Sequence, residues 1–254
     1  MKVDWTSERL NRYARQVNLT GFDLEGQERL YAAHVLVIGA GGLGCAAAQY
    51  LASTGVGTIS LVDPDSIEAS NLHRQILYRS DDIGRPKVEV AARVLQTMNP
   101  DILVHTYQTR FEAAWFEQYG EKVDVVVDAT DNRQSREIIH QQCRQRLIPL
   151  IMGAAIRLEG QISVFTHQAG APCFACLTQL FGETELSCVE AGVMPAVVGT
   201  IGSLQALEAV KLILGWPTMS AGELLLFDGR TSEFRVLKIA RMPHCPVCGH
   251  EIDS

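Results

Sequence analysis

The chain lacks any surplus of positive charge: 22 Lys+Arg stand against 29 Asp+Glu, a formal net charge of −7. No block of Lys or Arg occurs, which argues against a nucleic-acid partner or an anionic membrane surface. The N-terminal stretch has no apolar leader and is studded with charge (Lys2, Asp4, Glu8, Arg9, Arg12, Arg15), so no signal peptide is expected. The longest apolar runs, Val35 to Ala48 and Gly192 to Leu207, are too short or too interrupted by Gly, Ser and Pro to cross a bilayer at about 20 residues. No internal repeat, low-complexity tract or linker breaks the pattern, so one continuous α/β domain is expected rather than two. Seven cysteines without an export signal read as reduced thiols, metal ligands or nucleophiles, in a cytoplasmic protein. The seven histidines form no ligand pair and read as mostly surface residues.

What is present is an alternation of helix-like and strand-like segments. A charged helical arm, Thr6 to Gln16, precedes a second helix near Leu24 to Ala33. The apolar run His34 to Ile38 then ends in Gly39-Ala-Gly-Gly-Leu-Gly44, followed by a small-residue helix, Cys45 to Thr54, and a strand, Thr58 to Asp63. Such a strand–helix–strand unit of about 30 residues belongs to a parallel sheet. Downstream, Pro86 suits the first turn of a helix running to Asn99, where Pro100 stops it. Strands are expected at Ile102 to Tyr107, Val123 to Val127 and Ile148 to Met152, with a helix ending at Arg146. Beyond residue 160 the pattern turns to β segments (Gln161 to Thr166, Glu223 to Phe227, Glu233 to Ile239) around one long apolar helix, about Met194 to Leu214. Leu177 to Gly192 reads as a mobile loop. The fold class expected is α/β, a Rossmann-like and mostly parallel sheet extended by an antiparallel β region.

Gly39-x-Gly41-x-x-Gly44 follows a strand and opens a helix, the context in which backbone N–H groups and a helix N-terminus hold phosphate. A structural glycine turn is the plain alternative. Asp63, 22 residues after Gly41, closes the next strand, where a carboxylate accepts from ribose hydroxyls. No hydride-transfer site follows. Instead comes a polar cluster of Asp65, Asn71, His73, Arg74, Gln75 and Lys87. Arg and Lys converging on phosphate suit phosphoryl or nucleotidyl transfer; a solvated charged loop is the alternative. Asp131 ends an apolar strand at the ligand-binding edge and can hold Mg²⁺, although Asp131 or Asn132 also suits the cap of the next helix.

Two Cys-x-x-Cys pairs, Cys173/Cys176 and Cys245/Cys248, offer four thiolates for a closed, structural zinc site assembled by the fold. Neither pair reads as opening a helix after a strand, which disfavours separate redox motifs. Cys188 lies in the loop segment, where a following helix N-terminus would favour a nucleophilic thiol; Cys45 and Cys143 read as packed core residues.

With these residues the chain resembles the ubiquitin-activating-enzyme superfamily, in its bacterial MoeB/ThiF/HesA adenylyltransferase branch and most closely the MoeB type. The likeness rests on Arg12-Tyr-Ala-Arg-Gln16, Gly39 to Gly44, Leu61-Val-Asp63, Asn71-Leu-His-Arg-Gln75, Pro86-Lys87, Asp128-Ala-Thr-Asp-Asn132, Gly153-Ala-Ala-Ile-Arg157, both Cys-x-x-Cys pairs and Cys188-Val-Glu-Ala-Gly192. It implies ATP-Mg²⁺-dependent adenylation of the Gly-Gly carboxylate of a small ubiquitin-fold carrier, with pyrophosphate released and sulfur supplied by a separate donor. It assigns Gly41 to phosphate, Asp63 to ribose, Asn71, Arg74 and Lys87 to the triphosphate, Asp131 to Mg²⁺, and Arg15 to the neighbouring subunit's site across a homodimer interface. Nucleotide contacts are thus expected from Gly39, Gly41, Gly42, Gly44, Asp63, Asp65, Asn71, Arg74, Gln75, Lys87, Asp131 and Asn132, and catalysis from Arg15, Arg74, Lys87 and Asp131. The single domain of residues 1–254 would comprise an arm (1–33), a nucleotide-binding part (34–160) and a β/zinc and carrier-binding part (161–254). The alternatives are activation of a thiamine-type or other biosynthetic sulfur carrier and, of a different class, a nicotinamide-dependent oxidoreductase sharing the glycine turn or a non-catalytic zinc scaffold.

Carboxylate attack on the α-phosphate uses the substrate's own oxygen, so a protein thiol serves only a later acyl or sulfur transfer. The acidic neighbours Glu183, Glu185 and Glu190 would also oppose thiolate formation at Cys188. Cys188→Ala is therefore expected to keep ATP–pyrophosphate exchange near wild type. A loss above about tenfold in a folded variant would put the thiol in the first step.

Overall fold

The computed structural model describes residues 5–119, 122–181 and 191–249. Its centre is an eight-stranded sheet built from β1 (His34–Ile38), β2 (Thr58–Val62), β3 (Leu103–Tyr107), β4 (Val125–Asp128), β5 (Leu150–Ile156), β6 (Glu159–Phe165), β7 (Glu223–Asp228) and β8 (Glu233–Lys238), in the order β3-β2-β1-β4-β5-β6-β7-β8. The first five pair in parallel and β6 to β8 add on antiparallel. The mostly parallel, Rossmann-like sheet with an antiparallel extension is the fold expected from the alternation of motifs.

Side chains on the inner strands alternate between two buried layers, as the twofold period of a strand requires. Val35, Val37, Ile59, Leu61, Val125 and Val127 face one layer; Leu36, Ile38, Val62 and Val126 face the other. The first layer is covered by α3 (Gly42–Thr54), α4 (Lys87–Met98) and the long α8 (Pro195–Leu214), with α2 (Asp23–Ala32) beyond. Short α5 (Trp115–Tyr119), α6 (Arg133–Arg146) and α7 (Phe174–Phe181) lie on the second. The arm helix α1 (Ser7–Val17) is capped by Thr6, whose hydroxyl accepts from the Arg9 N–H. It is held by Tyr13, which receives a bond from Asn99 (2.8 Å), and by an Arg9–Asp101 pair (2.9 Å).

Close helix packing depends on small residues. A Cβ at Gly202 of α8 would lie 2.5 Å from the Leu43 carbonyl oxygen and 2.8 Å from the Ala46 Cβ of α3. Helix α8, 20 residues long, is apolar enough to span a membrane by length and composition, contrary to the reading of its sequence run; half of the helix is buried within the fold.

Several local expectations change. Helix α3 starts at Gly42 rather than Cys45, because the glycine turn itself supplies the first helical turn. Pro86 is the residue before α4 and not within its first turn. Strand β5 continues past Met152 to Ile156, since Gly153 to Ile156 find partners on β6. Helix α7 carries the chain helically through Phe181, where a loop from Leu177 was expected; Cys188 lies outside the described residues. His34 and His140 are buried, not at the surface.

Two helical glycines give predictions of opposite sign. Gly44→Ala would place a Cβ 1.8 Å from the Gly39 carbonyl oxygen, an overpacking cost on the order of 3 kcal/mol. Gly199→Ala meets nothing within 4 Å and gains about 0.5–1 kcal/mol of helix stability. Urea midpoints of the two variants check both; equal midpoints would contradict the packing described.

Candidate functional site

The glycine turn lies where three loops meet at the carboxyl ends of the parallel strands. Gly39 takes φ +95°, and a Cβ there would lie 2.8 Å from the Ala129 carbonyl oxygen of the β4–α6 loop. A side chain at Gly42 would meet Val198 of α8 at 2.5 Å and Arg74 at 3.4 Å. Gly41, by contrast, has only the Gln75 amide nitrogen nearby, at 3.9 Å. The N-terminus of α3 therefore opens on a cradle where backbone can approach an anion.

Asp63 directly follows β2 beside this turn and is buried. Its Oδ2 accepts from the Ala40 N–H (2.7 Å) and its Oδ1 from the Asp65 N–H (2.8 Å). Burial pushes the Asp63 pKa up, against the opposing pull of Lys87 and these two N–H groups. Lys87, the first residue of α4, is buried, with its Nζ 2.8 Å from Asp65 and 3.9 Å from Asp63. A buried ammonium held by two carboxylates is a charge directed at a fixed place, unlike a solvated lysine.

Asn71 and Gln75 are buried on the segment after β2. Asn71 accepts from the Glu68 N–H (3.0 Å), which shapes the turn leading to Arg74. The Arg74 guanidinium donates to the Ser70 carbonyl (3.0 Å) and to a His73 ring nitrogen (2.8 Å). The Gln75 Oε1 is buried with no hydrogen-bond partner, beside the open Gly41. An unpartnered buried amide next to a cradle fits a bound polar ligand.

Beyond β4, the two readings of Asp131-Asn132 separate. Asn132 caps α6, its side chain accepting from the Ser135 N–H (2.9 Å). Asp131 is exposed and makes no hydrogen bond or ion pair among the described residues. The loop is shaped from below by Asp128, whose Oδ1 accepts from the Thr130 N–H (2.9 Å) and hydroxyl (2.7 Å), and by Arg136, which donates to the Thr130 carbonyl (2.7 Å). Burial raises the Asp128 pKa.

Arg15 is not brought to this cluster. It is exposed on α1, which packs near Thr54, Asn99 and Asp101, at the opposite edge of the sheet. Sequence reasoning gave no role to Tyr78, Asp128, Arg136 or Gln205. The Tyr78 hydroxyl donates to the Ala40 carbonyl (2.7 Å), and the Gln205 amide to the Asp128 carbonyl (2.8 Å). Only Asp128 carried a signal, at the end of an apolar strand.

The four cysteines of the two pairs converge. All are buried, and their sulfurs lie within 4.8 Å of one another, with Cys173–Cys245 and Cys176–Cys248 both at 3.5 Å. Metal–sulfur distances of about 2.3 Å in a tetrahedron imply sulfur separations of about 3.8 Å, so the set fits a tetrahedral cation such as Zn²⁺. Contrary to expectation, Cys173 and Cys176 do open a helix, α7; the pairing with Cys245 and Cys248 is what separates them from a redox motif. Burial raises the Cys173 thiol. Nearby, burial depresses the pKa of His140 to about 3, so the ring stays neutral and accepts from the Phe174 N–H (3.3 Å).

The model of the ThiF family matches residues 13–247. The chain is 46% identical over 247 residues to the molybdopterin-synthase adenylyltransferase of Escherichia coli K12, covering 97% of this chain and 99% of that protein. It is 45% identical over 238 residues to the sulfur carrier protein ThiS adenylyltransferase of the same organism, with 94% of each covered. A crystal structure of E. coli MccB with ATP shares the fold at a TM-score of 0.80 and 23% identity, over 94% of this chain and 74% of that one.

Because a metal at a closed thiolate site is coupled to folding, Cys173→Ser is expected to lower bound metal and melting temperature together. Elemental analysis should find one metal ion per chain in the native protein. A metal-free native preparation of equal stability would refute a structural site.

Proposed function

The chain belongs to the ThiF family, and from that premise we propose that it adenylates the C-terminal carboxylate of a small ubiquitin-fold sulfur carrier ending in Gly-Gly. The activity is that of an adenylyltransferase, the name both full-length relatives bear. The observation that carries the reading is that the glycine turn abuts Arg74 and the Ala129–Thr130 backbone just before Asp131, while Lys87 is buried against Asp63, whose carboxylate holds the Ala40 N–H. Nothing in the relatives favours a nicotinamide oxidoreductase or a non-catalytic scaffold.

In this reading the backbone at Gly41 and Gly42 receives phosphate at the N-terminus of α3, and Asp63 accepts from the ribose. Arg74 leaves its carbonyl partner at Ser70 to face the triphosphate, with Asn71 and Gln75 beside it and Lys87 held in place by Asp65. Asp131, relieved of capping by Asn132, holds Mg²⁺, which neutralises phosphate charge when bound. The carrier carboxylate attacks the α-phosphorus; the bond to the β-phosphate oxygen breaks and pyrophosphate leaves. Positioning and charge supply the acceleration, so no protein nucleophile is required.

An exposed apolar patch on β8 supports the carrier as substrate. The Phe234 ring stacks on Phe227 at 4.6 Å, and Phe227 packs in turn on the buried Val197 and Val198 beside Gly42. On β8, Phe234 and Val236 are 51% and 55% exposed. A patch of this kind on an edge strand suits docking of another protein. The hairpin joining β7 and β8 lies at the same sheet edge as the glycine turn, so a tail from a carrier seated there can reach the site. In this reading the exposed Arg15 serves the site of the neighbouring subunit in a homodimer, as the family motif around it implies. We read residues 1–254 as one domain with arm, nucleotide-binding and β/zinc parts, acting in the cytoplasm with a separate sulfur donor, and the four-cysteine site as holding structural zinc.

Carrier-dependent exchange of labelled pyrophosphate into ATP tests the reaction. Asp131→Ala and Arg15→Ala should each abolish it without unfolding the chain. Mixed in equal amounts and allowed to exchange subunits, the two dead variants should recover about a quarter of wild-type activity, because one site in four then has both groups. No recovery would place Arg15 outside the neighbouring site; full activity of Asp131→Ala would displace the metal.

A further inference from the structure

The segment after Gln75 turns back beneath the glycine turn. Tyr78 is buried, its N–H donates to the Gln75 carbonyl (3.2 Å), and its hydroxyl donates to the Ala40 carbonyl oxygen at 2.7 Å. The N–H of Ala40 donates to Asp63 Oδ2, also at 2.7 Å. A second donor on the Ala40 carbonyl is the Cys45 thiol, at 3.4 Å, a weak one by its chemistry. The residue between β1 and the phosphate-facing glycines is thus clamped through both of its backbone polar groups. Its carbonyl is tied to the segment that carries Arg74, and its N–H to the carboxylate that ends β2.

We propose that Tyr78 is a positioning residue for ribose recognition, acting on the Asp63 carboxylate through the backbone of Ala40. The proposal rests on the reading of Asp63 as the ribose acceptor. One oxygen of that carboxylate is held by Ala40 and the other by the Asp65 N–H. With both oxygens tethered, the plane of the group is set, and the remaining lone pairs point to fixed places. Vicinal ribose hydroxyls demand such fixed acceptors, because a carboxylate free to rotate meets them in only a fraction of its orientations. Phenylalanine would fill the same volume in the core that Tyr78 shares with Leu77 and Ala91, so what the tyrosine adds is its hydroxyl. Burial pushes the phenol pKa up, which keeps the hydroxyl a donor throughout the working pH range.

The test compares wild type, Tyr78→Phe and Cys45→Ala with ATP, 2′-deoxyATP and 3′-deoxyATP in carrier-dependent pyrophosphate exchange. Tyr78→Phe should raise KM for ATP about fivefold, a partial loss of the hydrogen bond between ribose and the Asp63 carboxylate, with kcat within about twofold. KM should stay unchanged for whichever analogue lacks the hydroxyl that Asp63 receives, so the discrimination ratio falls. Cys45→Ala should lower the same ratio by less, and it carries the test alone if Tyr78→Phe does not fold. An equal rise for ATP and both analogues, or an unchanged ratio, would leave Tyr78 a structural residue and overturn the proposal. If wild type itself fails to discriminate among the three nucleotides, the ribose reading of Asp63 falls, and this proposal falls with it.

Discussion

Everything at the site depends on how closely backbone approaches backbone around Gly39 and Gly44. The N-terminal turn of α3 rests against the Gly39 carbonyl at a separation that leaves no room for a Cβ, and Gly39 itself abuts Ala129. That contact brings the start of α3, the loop after β4 and the segment carrying Arg74 to one point. Helix α8 closes the arrangement from above, because Val198 occupies the space a side chain at Gly42 would need. Four glycines thus do two separate things. Gly39, Gly42 and Gly44 permit contact within the protein, and Gly41 leaves an opening for a ligand.

The charges around that opening are held before any substrate arrives. Lys87 is buried between Asp63 and Asp65, and its cost of desolvation is offset by those two carboxylates. Arg74 is more exposed and bonded to a backbone carbonyl and a histidine ring nitrogen, partners it can exchange for phosphate oxygens. Asp131 has no partner among the described residues. A tethered cation, an exchangeable one and a free carboxylate suit a reaction in which a highly charged triphosphate enters, is split and leaves. The cysteine cluster lies apart from this chemistry. It binds the segment after β8 to the start of α7, across 72 residues of sequence, and so holds the C-terminal β region in place.

Much of this was legible in the sequence because the relevant groups sit at short, regular spacings. The glycine turn announces itself between a strand and a helix, Asp63 closes the next strand, and the paired cysteines mark each other. What was not legible depends on contacts between distant segments. Nothing local distinguishes Asp131 from Asn132 as the helix cap; the structure decides it by which side chain meets the Ser135 N–H. Tyr78 looks like one more apolar residue until the chain folds it under Ala40. Arg136 and Gln205 project from helices whose exposed and buried faces are both mixed in character, so neither the β4 loop nor its tie to α8 could be inferred. Helix α7 was hidden because it is short and borders residues with no clear period. Arg15 differs again: the motif around it assigns it to the neighbouring subunit's site, and within its own chain it lies at the far end of the sheet from the glycine turn.

The central claim is that the carboxylate of a Gly-Gly tail attacks the α-phosphate of ATP at this sheet edge. Isotope transfer reads that step directly. A carrier whose terminal carboxylate is labelled with ¹⁸O would be adenylated, the adduct cleaved at its carbonyl by a thiol, and the released AMP weighed by mass spectrometry. The account predicts that AMP gains one ¹⁸O atom from the carrier, because the carboxylate oxygen becomes the bridge to phosphorus, and that pyrophosphate gains none. Formation of ADP and phosphate, or unlabelled AMP with label retained wholly in the carrier, would contradict it.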